Sequence, residues 1–186
     1  MTTNHINTMK VRRGLHIRGF TLIEMMVAVT ILLMAVVGPL SLIEKSLYRI
    51  YYSRDEVLAL TLAQEGIEMV RQVRDTNMLS GASWLSGLSD GTYKISVDNF
   101  IAGGAVNSFI IPCGGACAPQ PVYINASGLY GQATPATRTQ FSRIVTISSA
   151  GLPSNEVKVT SRVDWQQAGG STGTVSASEY IFSWAI

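Results

Sequence analysis

Nineteen consecutive residues without a charge, Met25 to Ile43 (MMVAVTILLMAVVGPLSLI), constrain this chain more than any other feature. A helix of ~20 apolar residues spans the ~30 Å hydrocarbon core of a bilayer. With Phe20 to Ile23 added, the run is long enough to do so, and it exceeds the ~7–15-residue apolar region of a secretory signal peptide. The stretch before it holds Lys10, Arg12, Arg13 and Arg18 and no acid. That asymmetry predicts one pass through the cytoplasmic membrane, N-terminus in the cytoplasm and everything after Ile43 outside it.

Two details do not suit a plain anchor. Glu24 stands four residues into the apolar run, where a carboxylate costs up to about 2.5–3.5 kcal/mol, least near the end of the span. Gly38-Pro39 falls inside the same run. Proline lacks a backbone donor and clashes with the preceding turn, so the pair predicts a helix kink or a point that can unwind.

Gly19-Phe20-Thr21-Leu22-Ile23-Glu24, with basic residues before it and the apolar span after it, resembles the processing signal of type IV prepilins and type II secretion pseudopilins. The resemblance implies a leader peptide of residues 1–19, cut by a prepilin peptidase between Gly19 and Phe20, and N-methylation of the new Phe20 amine. A start at Met9 would shorten the leader and keep all four basic residues. The resemblance also gives Glu24 an assembly role, pairing with the Phe20 amine of a neighbouring subunit. The continuation of the span, with Gln64-Glu65-Gly66-Ile67-Glu68 and Arg71-Gln72-Val73-Arg74-Asp75, is similar to PilV-like minor pilins.

The function so implied is a structural subunit of a type IV pilus or related filament, not an enzyme. A type II secretion pseudopilin and a membrane-tethered binding module are the alternatives. The implied partners are the prepilin peptidase, other pilin subunits, an inner-membrane assembly platform and the membrane itself. The expected location is the cytoplasmic membrane, then an extracellular filament or an extracytoplasmic pseudopilus.

Loss of the leader changes what the rest can do. The whole chain carries +2, but fourteen basic residues less those four leave ten against twelve acids, a mature charge of −2. That does not favour nucleic acid as a partner. Both histidines, His5 and His16, would leave with the leader. No imidazole then remains for nucleophilic catalysis or for a metal. No phosphate-binding or dinucleotide motif is present, so no cofactor, metal or small-molecule substrate is expected.

Downstream, Glu44 to Asn77 continues as helix, with apolar residues at Leu47, Ile50, Tyr51, Val57, Leu58, Leu62, Ile67, Val70 and Val73. The charges at Glu68, Arg71 and Asp75 have the spacing of a solvated helix face. Leu79-Ser80-Gly81 marks its end. The remainder alternates with period two, at Tyr93–Val97, Val157–Trp165 and Tyr180–Ile186, with shorter candidates at Ser108–Pro112, Val122–Asn125 and Gln140–Ser148. Tyr180, Phe182, Trp184 and Ile186 share one face, and alternating aromatics of this kind are expected in the core.

The fold class is α+β: a long N-terminal helix packed on an antiparallel sheet, pilin-like by resemblance. Its segments are a leader at 1–19, a membrane-spanning filament-core helix at 20–43, an amphipathic continuation at 44–79 and an extracytoplasmic β-rich domain at 80–186. Cys113 and Cys117, separated by Gly-Gly-Ala, are a candidate disulfide in an oxidising compartment, with free thiols as the other reading.

Overall fold

The computed structural model describes residues 19–97, 108–115, 117–132, 137–167 and 170–183. The leader up to Arg18 and the terminal Trp184 and Ile186 lie outside them. Contacts divide the chain into two units, with the division between Leu47 and Tyr48.

One helix, α1 (Leu22–Leu79), enters both units. In the first, its side chains are exposed throughout, including Leu22, Ile23, Met25, Met26 and the apolar residues up to Leu47. Among the described residues α1 is the one helix long and apolar enough to cross a membrane.

In the second unit α1 lies on an antiparallel sheet. Its strands are β1 (Gly91–Ile95), β2 (Ile110–Pro112), β3 (Gln120–Ile124), β4 (Tyr130–Gly131), β5 (Thr137–Ser148), β6 (Glu156–Gln166) and β7 (Thr172–Phe182). Every described pairing is antiparallel. The long strand β5 pairs along one side with β6, which in turn pairs with β7; its other side is shared by β3 and β1. The α+β architecture expected from the pattern is the one observed.

The helix terminates by geometry as well as composition. Gly81 takes a φ of 72°. Its N–H donates to Met78 and that of Ala82 donates to Asn77. This is a Schellman motif, in which a left-handed glycine lets the last carbonyls find partners.

The core lies between the helix and one sheet face, in two clusters. Ala59, Leu62 and Ala63 pack with Val122, Phe141, Val163 and Trp165. Farther along, Ile67, Val70 and Val73 pack with Ile95, Val145, Ile147, Val159 and Ile181. Strand β6 alternates buried and open positions along its whole length, which is the one-face-covered pattern of such sheets.

Two expectations need correction. Tyr180 and Phe182 are 46% and 47% exposed, whereas Ile181 between them is 2% exposed. Register decides this: Ile181 pairs with the buried Val157, and Tyr180 pairs with the outward Lys158. The Lys158 ammonium lies 5.9 Å from the centre of the Tyr180 ring, a cation–π contact on the outer face. The helix stripe also begins later than its periodicity suggests. Leu47, Ile50, Tyr51 and Val57 are exposed, and burial starts at Ala59.

Candidate functional site

The residues singled out for processing and assembly gather at the start of α1. Gly19 and Phe20 are exposed and stand just before the helix. The Thr21 hydroxyl accepts a hydrogen bond from the Glu24 backbone N–H at 3.3 Å. Thr21 is therefore the N-cap and Glu24 the third helical residue, the Thr-x-x-Glu spacing of a capping box. A carboxylate there also faces the partial positive charge of the helix N-terminus. The Thr-x-x-Glu spacing that marks this cap is legible in Thr21-Leu22-Ile23-Glu24.

Gly38 and Pro39 stand inside α1, which continues through them. Pro39 has no N–H to give the carbonyl four residues back, at Ala35. The Ser41 hydroxyl donates to the Gly38 carbonyl at 2.8 Å. A side chain at Gly38 would meet nothing within 4 Å, so no close packing inside this chain explains that glycine.

Cys113 and Cys117 stand as a bonded pair after β2, with Cα atoms 6.1 Å apart. The Thr92 hydroxyl, on β1, donates to the Gly115 carbonyl and accepts from the Cys117 N–H. The small loop is thus held against the sheet.

The segments Gln64–Glu68 and Arg71–Asp75 serve to seat the helix on the sheet. The Arg143 guanidinium, on β5, is wholly buried. Its Nη1 donates to the Leu62 carbonyl at 2.9 Å and to Glu65 at 3.0 Å, and its Nη2 to the Ile95 carbonyl at 3.3 Å. Burial holds the Arg143 pKa down, and the nearby Glu65 carboxylate opposes that shift. Beside it, Gly66 allows a close approach. A Cβ there would lie 2.6 Å from the Ser161 hydroxyl and 3.0 Å from Val145.

Arg71 does not simply face solvent. It bridges Glu68 on its own helix and Glu179 on β7. The Glu179 hydrogen bond holds the Arg71 pKa up, against partial desolvation. Arg74 is buried and bonds Asp75 and the Phe182 carbonyl. The charge pattern expected to be a solvated face is instead partly a clamp between α1 and β7.

Among the described residues no cluster of three or more His, Cys, Asp or Glu could hold a metal ion. Residues 15–38 match the family described as the prokaryotic N-terminal methylation motif. That motif is typical of type IV prepilins and pseudopilins, whose members are structural rather than enzymatic. No curated protein and no solved structure matches the chain.

Proposed function

We propose that this chain is a structural subunit of a type IV pilus or related filament, a minor pilin, processed after Gly19 and assembled through the start of α1. The observation that carries the reading is a methylation motif at residues 15–38 whose later part, from Leu22, lies on a helix with its apolar side chains left open up to Leu47. Burying one such side chain is worth about 1.5–3 kcal/mol. So long a bare stripe needs a cover. Lipid supplies it before assembly, and the same segment of neighbouring subunits supplies it afterwards.

Exchange of lipid for protein gives little net hydrophobic gain, because both are apolar. Register must then come from polar groups. The cut between Gly19 and Phe20 frees an amine four residues from Glu24. In an apolar filament core, opposite charges attract strongly, but desolvation offsets much of the gain. A neighbour out of register leaves Glu24 unpaired, so the pair selects position more than it adds strength. Gly38-Pro39 is the place where the helix yields as it leaves the bilayer.

The test is to shear filaments from cells, look for this chain among their components and determine its first residue. Methylated Phe20, in a chain present at a small fraction of the main subunit, is the expected result. A chain that keeps Lys10 to Arg18 in the membrane and is missing from filaments overturns the proposal.

A further inference from the structure

The unit that begins at Tyr48 holds a cleft of about 450 Å³ that filament assembly through the start of α1 does not use. Small-molecule sites are clefts of ~300–1,000 Å³ with apolar or aromatic walls and a few placed polar groups. Tyr48, Tyr51 and Tyr130 line this one, with Leu58 and Phe141 adding apolar surface. The Tyr48 hydroxyl is hydrogen-bonded to that of Ser171, which fixes one wall.

The Tyr48 and Thr139 hydroxyls of the cleft are already hydrogen-bonded, but other polar groups are unspent. Arg54, Asp55 and Gln140 line it, and their side chains make no hydrogen bond or ion pair with another described residue. Gln167, 7% exposed, borders it too. The Gln167 Oε1 accepts from Ser171 at 3.2 Å, while its Nε2 is buried without a partner. A buried donor left unused is uncommon and needs a reason.

The chemistry narrows the occupant. A phosphate would want net positive charge, but Asp55 offsets Arg54. A fatty chain would leave these polar groups unpaired at a cost. A hard cation would want several carboxylates or carbonyls. A sugar ring presents an apolar C–H face to an aromatic wall, and each hydroxyl both donates and accepts. We propose that this cleft binds a saccharide, its ring resting on the tyrosines and its hydroxyls paired with Arg54, Asp55 and Gln140.

The full chain, held in a detergent that carries no sugar headgroup, is tested by saturation-transfer NMR. The probes are glucose, galactose, mannose, N-acetylglucosamine, lactose, cellobiose and chitobiose. At least one is expected to bind saturably. Tyr51→Ala and Asp55→Asn should each weaken that binding about tenfold or more, with thermal unfolding unchanged because neither side chain is in the core. Failure of every probe up to ~10 mM, or binding that persists undiminished in both variants, overturns the assignment. So does efficient cross-linking of Tyr51→Cys to a second copy in solution, which would make the cleft a subunit contact.

Discussion

Arg143 Nη1 lies 3.0 Å from the Glu65 carboxylate and ties the middle of β5 to α1. Along the core face of β5, Arg143 stands between Phe141 of one cluster and Val145 of the other. Ser161 takes the equivalent place on β6, between Val159 and Val163. A polar seam therefore separates the two apolar clusters. A one-residue slip of β5 would turn the guanidinium to the opposite face and leave Glu65 alone, so the pair fixes how helix and sheet meet.

Replacing Arg143 by Met should cost about 1–3 kcal/mol, because it leaves the partly buried Glu65 carboxylate without its partner. The Leu62 and Ile95 carbonyls lose a donor in the same step. Adding Glu65→Gln should recover part of the loss, since the stranded charge is then gone. Denaturant unfolding of the three proteins, followed by the β-sheet signal, measures it. Equal stability of Arg143→Met and wild type would show that the seam contributes nothing.

Gly66→Ala should destabilise, against the usual sign. In an exposed helix the change gains about 1 kcal/mol. Here the new methyl would press on the Ser161 hydroxyl and on Val145, and overpacking costs ~1–3 kcal/mol. The Ser161 hydroxyl is buried without a partner, so Ser161→Ala alone should be close to neutral. It should restore much of the stability lost in Gly66→Ala. Thermal unfolding of the two single variants and the double variant checks the cycle.

How much of this was readable in the sequence differs from element to element. Helix and strands follow from period alone, because one covered face forces alternation at Val157–Trp165 and an apolar stripe at Leu62–Val73. The phase of β7 did not follow. Tyr180, Ile181 and Phe182 are all apolar enough for either face, and only pairing with β6 chose Ile181. The place of Arg143 was visible in principle, since Phe141, Val145 and Ile147 share its face. Its partner was not, because nothing local says that Glu65 lies opposite. For the start of α1, the motif is compact enough to be read directly, and the Thr21 cap adds a helix boundary to it. The cleft beside Tyr51 assembles residues from α1, β4, β5 and the chain after β6, and no spacing announces it.

Gly173→Ala should cost about 1–3 kcal/mol, by steric overlap rather than by backbone strain. Gly173 pairs across the strands with Trp165, and a Cβ there would stand 2.1 Å from the indole ring. The ring lies over the glycine, as aromatic residues do when they cover a bare strand position. Displacing it would also disturb the tilted contact with Tyr52, whose ring centre is 5.8 Å away. A lowered unfolding midpoint and a red-shifted tryptophan emission are the expected readings. An unchanged midpoint would mean that the indole moves aside without cost.

The register role proposed for Glu24 and a part in starting the helix are separated by one set of variants. Glu24 has the third-residue spacing of a capping box behind the Thr21 cap, where a cap contributes roughly 0.5–2 kcal/mol, and glutamine suits that position as well as glutamate. In the proposed register role it would have to hold a negative charge beside a freed Phe20 amine, and glutamine cannot. Glu24→Ala and Glu24→Gln should therefore both reduce incorporation into sheared filaments, while cleavage after Gly19 proceeds in each. Thr21→Val, which removes the hydroxyl that caps the helix, should leave incorporation largely intact. Quantifying the chain in filaments and in membranes for all three variants decides the matter. Normal incorporation of Glu24→Gln together with failure of Thr21→Val would assign the residue to helix capping and remove charge from the assembly mechanism.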